Sequence, residues 1–290
     1  MWNLKSRPKV GLGWGLRAMP ELPEVETVAS DLRAHLTGRR IVGVTVNWQR
    51  SIARPSHEEF IQQVIGCQVR SVSRRGKYIV IELDRGYLLV HLKMSGRLQL
   101  VPAMQPLDTH LRVVFDLDDG HQLRFQDTRK FGRLYLVDDP HQVTAGLGPE
   151  PLADNFTLDD FRELLVRRTG RLKPLLLNQS FLAGLGNIYA DESLFAAGLH
   201  PLRKADSLTL AEQALLYRAI RTVLSGAVAG RGTTLSDGGY TDAAGQAGTF
   251  QHRIAVYGRT GKPCHRCQTP IERIVLGGRS AHYCPVCQVV

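Results

Sequence analysis

The segment CHRCQTPIERIVLGGRSAHYCPVC, residues 264 to 287, predicts a local fold from its spacing alone. Two Cys-x2-Cys pairs flank sixteen residues, which hold two β-rich runs around a Gly-Gly turn. Two thiolate pairs at this spacing can close a tetrahedron around one Zn²⁺ ion. The ligands would be Cys264, Cys267, Cys284 and Cys287. Because sulfur fills every position, the ion would be structural; two disulfides or a redox pair are the alternative in a chain otherwise poor in cysteine.

The remainder of the chain has the composition of a basic globular protein. It has 290 residues, enough for two domains with separate cores, and 43% of them are hydrophobic. The formal net charge of +10 favours a polyanionic partner such as nucleic acid, or an anionic membrane surface. A soluble protein that is merely basic is the third interpretation. No apolar run reaches the roughly 18 residues of a membrane span, so we expect no membrane partner.

The first residues differ in pattern from those that follow. Residues 1 to 18 carry basic side chains and no acidic one, and they show neither helical nor strand periodicity. They lack the continuous apolar region of a secretory signal. We predict a disordered extension, or a stretch that precedes the true start, because MPELPEVETV at residues 19 to 28 reads like the beginning of a protein.

The next part combines one helix with many strands. PEVETVASDLRAHLTG, residues 23 to 38, has apolar residues at helical spacing. Val42, Val44, Val46 and Trp48 then alternate along one predicted strand face. Five further β-rich runs with short connections indicate an antiparallel sandwich or barrel.

After residue 145 the periodicity becomes helical. GLGPEPLADNF at 146 to 156 reads as a linker, and TLDDFRELLVRR and TLAEQALLYRAIRTVLSGAV read as helices. Thr209 and Glu212 fit a capping box at the start of the second run. Residues 232 to 251 are glycine-rich, which predicts a mobile loop of the kind that often carries function.

Several motifs suit contact with an anion or a nucleic acid. AGLGNIYADE, residues 183 to 192, is a glycine-rich turn before a helix, where backbone N–H groups and Asn187 can bind an anion. HLKMSGRL and DTRKFGRL end strands and would expose Met94 and Phe131 beside Arg129, as a wedge for a base stack. Arg279 at the hairpin tip can fork onto a phosphate. The plainer alternatives are glycine packing, side chains folded into the core and a solvated arginine.

Pro20 and Glu21 suit amine catalysis if Pro20 is the first residue of the protein. A terminal amine has a pKa of about 7.7–8.0, so a useful fraction is neutral and nucleophilic at neutral pH. Attack on a sugar carbon gives an iminium, which acidifies the neighbouring C–H, with Glu21 as proton donor. An internal Pro20, acylated by Met19, is an amide without a basic lone pair.

The motifs PELPEVETV, RRGKY, HLKMSG, DTRKFG, AGLGNIYADESLFAAGLHP and the terminal VYGRTGKPC with YCPVCQ resemble bacterial formamidopyrimidine-DNA glycosylases. The resemblance spans Pro20 to Gln288 in family order. It implies an α+β multidomain fold: an N-terminal antiparallel β-sandwich with a leading helix, a helix–two-turn–helix domain and a C-terminal zinc-finger hairpin. We place the boundaries at 1–18 for the extension, 19–145 for the catalytic sandwich, 146–250 for the helical domain with its mobile lesion loop, and 251–290 for the zinc finger.

The resemblance also implies a base-excision-repair enzyme that acts on damaged double-stranded DNA. Such an enzyme flips out oxidised purines (8-oxoguanine or formamidopyrimidines), removes them and cuts the strand by β,δ-elimination. By resemblance Pro20 is the Schiff-base nucleophile, Glu21 the general acid and Glu24 an active-site partner. Lys77 and Arg279 are then the acids for β- and δ-elimination. We expect a bacterial, cytoplasmic, nucleoid-associated monomer with one zinc ion.

The remaining residues carried over from the family would contact DNA, and they are His91, Met94, Asp108, Arg129, Phe131, Arg168, Asn187 and Tyr189. Met94, Arg129 and Phe131 would fill the gap left by the flipped base, and the 232–251 loop would close over that base. The chain departs from the family where Lys93 replaces a usual glycine, and where Asp108 stands in place of a common histidine. Thr128 and Lys130 stand where the family often has Pro and Arg.

Two other functions compete with this one. A glycosylase resembling endonuclease VIII, which prefers oxidised pyrimidines, shares the Pro-Glu start and the helical motif. A non-catalytic zinc-finger DNA-binding protein is the alternative if Pro20 stays internal.

Overall fold

The structure is a computed structural model that describes residues 19–235 and 239–289, so the predicted extension at 1–18 lies outside the described residues. Helix α1 (Leu22–Leu36) opens the described chain, as predicted. Pro23 lies in its first turn, where a missing N–H costs nothing, and Gly38 follows its end with φ +86°. Its apolar face is fully buried.

The sandwich prediction is confirmed. The strands are β1 (Ile41–Val46), β2 (Ile52–Arg54), β3 (Val69–Arg75), β4 (Tyr78–Leu83), β5 (Tyr87–His91), β6 (Gly96–Pro102), β7 (Leu111–Leu117), β8 (His121–Asp127) and β9 (Arg133–Val137). They form a four-stranded sheet, β1-β7-β8-β6, and a five-stranded sheet, β2-β9-β5-β4-β3. Among these pairs, β2 runs parallel to β9 and the others are antiparallel. One apolar core fills the sandwich and includes the buried face of α1.

Strand β1 corrects one detail of the predicted alternation. The pairing shifts between Ile41 and Gly43, where a bulge interrupts the register with β7. Val44 and Val46 pack against the core, whereas Val42 is 52% exposed. Because a bulge adds one residue on one strand, Val42 leaves the face that Val44 and Val46 share.

The second core is helical. It is built by α4 (Leu158–Leu165), α5 (Leu172–Leu177), α6 (Asn187–Ala197) and α7 (Leu210–Ala229). Two further helices lie outside it: α2 (His57–Val64) packs on the sandwich core, and α3 (His141–Thr144) follows β9. Short 3-10 turns lie at Gln49–Ser51, Ala205–Ser207 and Phe250–Arg253. The Thr209–Glu212 capping box is confirmed, since each side chain accepts the other residue's backbone N–H. Leu22 from α1 belongs to this helical core, so the first helix joins both halves.

The C-terminal module is the predicted hairpin. Strand β10 (Glu272–Leu276) pairs antiparallel with β11 (Arg279–Tyr283), and Gly277 and Gly278 turn between them with φ of 56° and 73°. Its apolar residues pack on Phe195 at the end of α6. Among the described residues, no helix is both long and apolar enough for a membrane crossing. The exact domain boundaries stay predictions.

Candidate active site

Glu21 is the residue around which the two halves of the molecule meet. Its carboxylate is buried and accepts three backbone N–H groups at the start of α6: from Gly186 at 2.7 Å, Ile188 at 2.9 Å and Tyr189 at 3.3 Å. The positive end of a helix favours such an anion. Burial nevertheless dominates and raises the pKa of Glu21, against the opposing effect of Lys77 and of these amides. The carboxyl group is therefore held rigidly while its protonated form is favoured.

The glycines of AGLGNIYADE explain why this approach is possible. A Cβ added at Gly186 would lie 2.4 Å from Cδ of Glu21, and one added at Gly184 would lie 2.7 Å from Cβ of Leu22. Real Cβ atoms do not approach other atoms so closely. The glycine-rich turn thus serves close packing against the first helix, which leaves its amides free for the Glu21 carboxylate.

Glu24 ties three distant segments together. Its buried carboxylate accepts the Glu21 backbone N–H at 2.8 Å, the Thr233 backbone N–H at 2.7 Å and the Tyr189 hydroxyl. Burial first, and then the neighbouring Glu21 charge, raise the pKa of Glu24 to about 7. Helix α1, helix α6 and the 232–251 segment therefore share one carboxyl group that is partly protonated near neutrality.

Tyr189 is not placed where the sequence suggested. Its ring is completely buried, and its hydroxyl is already used by Glu24 and Thr233. A direct contact of this side chain with DNA does not fit such burial. Tyr189 instead supports Glu24 from behind.

The described part of the 232–251 segment is anchored at two points. The Asp242 carboxylate accepts the backbone N–H of Ala244 at 3.0 Å and of Gln246 at 2.8 Å, and Arg231 donates to it as well. Tyr240 packs into the sandwich core. Mobility of this loop stays a prediction. The contacts of Asp242 and Tyr240 are the points about which a moving loop would pivot.

Three of the five predicted catalytic residues, Glu21, Lys77 and Arg279, line one cavity of about 300 Å³, whereas Pro20 and Glu24 are not among its lining residues. Its lining includes Met19, Glu21, Lys77, Met94, Asn187 and Arg279. Burial lowers the pKa of Lys77, and the Glu21 and Glu24 carboxylates oppose that change. Pro20 is buried, and its nitrogen is here the amide of the Met19–Pro20 bond. The Asn187 side-chain oxygen is buried without a hydrogen-bond partner, which suits a ligand donor at this site.

Met94, Arg129 and Phe131 are brought together as predicted from the sequence. The Arg129 guanidinium lies over the Phe131 ring, 4.9 Å from its centroid, and its Nη1 lies 3.2 Å from the Met94 sulfur. Phe131 is 47% exposed, so its ring presents apolar surface at the turn after β8. The three side chains form a continuous tip between the two strand ends.

Asp127 organises this tip, and the sequence analysis missed it. Its buried carboxylate accepts the Arg129 N–H at 3.1 Å, the Gly132 N–H at 2.7 Å and the Ser95 hydroxyl. One side chain therefore joins the turn after β5 to the turn after β8. The aspartate that opens DTRKFG was the available signal, because aspartate commonly caps the backbone of its own turn.

Asp108 lines a second cavity of about 290 Å³, together with Met94 and Arg129. Its carboxylate accepts the His110 backbone N–H at 2.9 Å, which makes it a turn residue. His110 is exposed and lines the same cavity, so the imidazole of DTH is a candidate contact that we had not selected.

His91 and Arg168 are placed less directly at the site. His91 is buried, and burial followed by the Lys93 and Lys77 charges lowers its pKa to about 3. Its Nδ1 accepts the Lys93 backbone N–H at 3.0 Å, so the neutral ring has Nε2–H as its donor. Arg168 is exposed between α4 and α5, outside the described residues that line the cavity.

The four cysteines satisfy the geometry of the predicted zinc site. All four Sγ atoms lie within 4.8 Å of one another, with Cys267 and Cys284 at 3.4 Å and Cys264 and Cys287 at 3.9 Å. Zn–S bonds of about 2.3 Å in a tetrahedron place sulfurs about 3.8 Å apart. A disulfide needs about 2.05 Å, so the alternative of two disulfides is excluded in this state. The cluster fits one structural zinc ion.

Comparisons with known proteins agree with this arrangement over most of the chain. Family models match in succession: the formamidopyrimidine-DNA glycosylase N-terminal domain at residues 19–134, the formamidopyrimidine-DNA glycosylase H2TH domain at 147–237, and the zinc finger found in FPG and IleRS at 261–289. A formamidopyrimidine-DNA glycosylase of Herpetosiphon aurantiacus is 51% identical over 274 residues, which covers 93% of this chain and 100% of that protein. The one from Protochlamydia amoebophila is 45% identical, covering 93% and 99%.

Solved structures show the same similarity. A complex between Lactococcus lactis Fpg and DNA containing an abasic site superposes with a TM-score of 0.86 at 35% identity, covering 92% of this chain and 99% of that one. A complex of the same Fpg with DNA containing N7-benzyl-Fapy-dG also gives 0.86 at 35% identity, with coverage of 93% and 99%.

Proposed function

Since this chain belongs to the formamidopyrimidine-DNA glycosylase family, whose members are DNA glycosylases of base-excision repair, we propose that it removes oxidised purines from damaged duplex DNA. The relatives' names and the damaged DNA in the similar complexes support this substrate class. The observation that carries the proposal is the cavity lined by Glu21, Lys77 and Arg279 together with Met19, the neighbour of Pro20 in the chain.

The chemistry follows from the amine of Pro20. Its nitrogen, once free, attacks C1′ of the damaged nucleotide while the bond from C1′ to the base breaks. Glu21, whose raised pKa favours the protonated form, donates the proton that leaves with the base. Loss of the amine proton and cleavage of the C1′–O4′ bond, with protonation of O4′, then open the sugar ring and give the iminium. The iminium acidifies the C2′–H, and loss of that proton expels the 3′ phosphate in β-elimination.

Two basic residues serve the elimination steps in this proposal. Lys77 has a lowered pKa, so its amine exchanges protons more readily at neutral pH than an ordinary lysine, and it acts in β-elimination. Arg279 serves the subsequent δ-elimination, which expels the 5′ phosphate. Glu24 holds the Glu21 backbone and the 232–251 segment in register with the nucleophile.

A free Pro20 is a condition of this mechanism. The matching family model begins at Met19, and 93% of this chain covers the full length of the Herpetosiphon relative. Both facts favour a functional protein whose synthesis starts at Met19. Removal of Met19 would then leave Pro20 as its first residue. Cleavage of a longer chain at the same bond would serve equally well.

The DNA contacts are also part of the proposal. Phe131, Met94 and Arg129 form an exposed tip suited to fill the space of a flipped base. Asn187, the Nε2–H of His91 and the exposed Arg168 would serve phosphates, whereas the turn carboxylate of Asp108 would not. Association with the bacterial nucleoid follows if DNA is the partner.

Borohydride trapping on a duplex that contains 8-oxoguanine tests the nucleophile. We expect a covalent adduct with protein that begins at Pro20, and none with protein that mass spectrometry shows to retain Met19 and the preceding residues. Equal trapping by both would assign the nucleophile to another amine. A Pro20→Gly protein that begins at residue 20 and cuts damaged DNA at full rate would also refute the role of the proline ring.

The competing functions are separated by substrate comparison. Faster excision of oxidised pyrimidines than of 8-oxoguanine would favour the endonuclease VIII-like alternative. Equal binding of damaged and undamaged duplexes without cleavage, by a protein with a free Pro20, would favour a binding protein. The Met94–Arg129–Phe131 tip supports the purine enzyme.

A further inference from the structure

A buried group of charged side chains lies outside the mechanism described above. Lys173 on α5 and Asp191 on α6 have no exposed side-chain surface, and His282 on β11 is 2% exposed. The Lys173 ammonium donates to the Asp191 carboxylate at 2.7 Å and to the Asn187 carbonyl at 2.8 Å. The other Asp191 oxygen accepts the His282 backbone N–H at 3.0 Å and its ring Nδ1–H at 2.9 Å.

Such a network holds two elements together at a large cost in desolvation free energy. Each buried ion loses its hydration, and well-packed apolar side chains of similar volume often stabilise a fold as well or better. Charged groups instead fix the relative position of the elements that carry them, because a carboxylate with several hydrogen-bond donors tolerates little displacement. The network is therefore better explained by a requirement for position than by one for stability.

One end of the network reaches the Glu21 side of the cavity. Asn187 and Asp191 are four residues apart and lie on the same face of α6. Asn187 begins that helix, lines the cavity and follows Gly186, whose N–H binds Glu21. Lys173 thus holds the first turn of α6 through its hydrogen bonds to the Asn187 carbonyl and the Asp191 carboxylate.

The other end reaches Arg279. His282 is three residues after Arg279 on the short strand β11, and Arg279 lines the same cavity. Gly277 and Gly278 form the turn before it, and Arg279 pairs with Leu276 of β10 in the same hairpin. The position of the Arg279 backbone therefore depends on how this hairpin is docked against α6, and Asp191 contacts both the backbone and the ring of His282.

We propose that Lys173, Asp191 and His282 are positioning residues, which fix β11 against α6 and so place Arg279 for the δ-elimination step. The inference rests on the proposed function, because it takes the role of Arg279 from there. The network changes no bond itself; it controls how often the product of β-elimination proceeds to the δ-product.

The test compares product ratios with proteins that begin at Pro20. His282→Phe keeps a ring against Tyr257 and removes the Nδ1–H donor. The double variant Lys173→Met with Asp191→Leu removes both charges and retains apolar volume. Val275→Thr, on the exposed face of β10, is the matched control in the same hairpin. Arg279→Ala is the reference for loss of the acid.

A duplex with a preformed abasic site is cut by each protein, and β- and δ-products are resolved on a denaturing gel. Zinc content is measured in parallel. We expect the δ-to-β ratio to fall about tenfold in both network variants, as displacement of a catalytic group by about 1 Å can cost more than that. Total strand cleavage, zinc content and the Val275→Thr ratio should stay at the wild-type values.

Three outcomes would contradict the inference, and each leads to a different conclusion. An unchanged ratio in both network variants, with a reduced ratio in Arg279→Ala, would overturn this inference and leave the proposed function intact. Parallel loss of zinc and of total cleavage in both would show a purely structural role and also overturn it. An unchanged ratio in Arg279→Ala would remove the assigned role of Arg279 and the inference together.

Discussion

Lys93 holds a backbone conformation that favours glycine. Its φ is +54°, in the left-handed region, which costs a residue with a Cβ about 1–2 kcal/mol. Family resemblance indicated a glycine at this strand end, and the structure supplies the reason for that preference. The turn carries Met94 at the next position, so its shape directs one of the three tip residues.

Replacement of Lys93 should therefore stabilise the protein. We expect Lys93→Gly to raise the free energy of unfolding by about 1 kcal/mol, because relief of strain exceeds the added entropy of the unfolded chain. Urea unfolding measures the difference. Lys93→Ala is the matched control, since it removes the charge and retains the Cβ; an equal gain in that variant would attribute the effect to charge.

Glu24 gives the stability of the protein a specific pH dependence. Its pKa rises from 4.5 to about 7 in the folded state, so unfolded chains lose this proton first as the pH rises. The contribution is greatest below pH 4.5, declines up to about pH 7 and is constant above that.

The variant Glu24→Gln isolates the effect of the Glu24 carboxyl group, because the glutamine side chain does not titrate. Between pH 4.5 and 7, the free energy of unfolding of the wild type should fall by about 3 kcal/mol relative to Glu24→Gln. Parallel unfolding curves across this range provide the measurement. A constant difference between the two proteins would show that Glu24 is ionised throughout and that its pKa is not raised.

At the scale of the elements, the start of helix α6 packs closely against Glu21. Three of its amides bind Glu21, and Gly186 leaves space for that carboxyl group. We expect Gly186→Ala to displace Glu21 and reduce base excision at least about hundredfold, the usual scale for a misplaced catalytic group. Single-turnover excision of 8-oxoguanine is the measurement.

Gly146→Ala is a suitable control, because a Cβ there would meet no atom within 4 Å. Excision by that variant should equal the wild type. If Gly186→Ala were equally active, the close approach of Glu21 to α6 would not matter for catalysis.

The elements differ in how well the sequence revealed them. Helices α1 and α7 were predicted because each buries a regular apolar face over at least fifteen residues. Helix α2 was missed, although it resembles the predicted helix α4: each has eight residues with two apolar side chains buried. The bulge in β1 could not be predicted, because it depends on the pairing with β7, a partner about 70 residues away in the chain.

The residues of the candidate site likewise differ in how well the sequence revealed them. Cysteine spacing predicted the zinc ligands, motif resemblance selected Glu21, Lys77 and Arg279 as candidates, and the structure brings these three candidates together. Motif resemblance did not reveal that Tyr189 is buried behind Glu24, nor that Asp127 joins two turns. Those roles depend on contacts between remote segments, which no single motif contains.

At the scale of the whole molecule, the zinc module is a separate small core whose stability depends on its ion. Its buried cluster contains Phe195, Val256, Cys264, Ile271 and Cys284, of which two are ligands. We expect chelation, or Cys267→Ser, to release zinc and abolish DNA binding, because such modules fold around the metal. Fluorescence anisotropy with labelled damaged duplex, together with zinc analysis, is the measurement.

His265→Ala is the matched control, since His265 is exposed, adjacent to a ligand and surplus to the four sulfurs. That variant should retain both zinc and DNA affinity. Full affinity in zinc-free protein would show that the hairpin holds its shape without the ion.

The carboxylates at the beginning of the chain have a consequence for synthesis on the ribosome. Glu21 contacts a residue 165 positions later, and Glu24 contacts one 209 positions later. The N-terminal segment emerges first and has none of these partners until most of the polypeptide has been made. During that interval the Met19–Pro20 bond is open to a processing enzyme, whereas in the folded protein Pro20 is buried. We therefore expect removal of Met19, which the proposed mechanism requires, to be easiest on the nascent chain, before the second domain closes over Pro20.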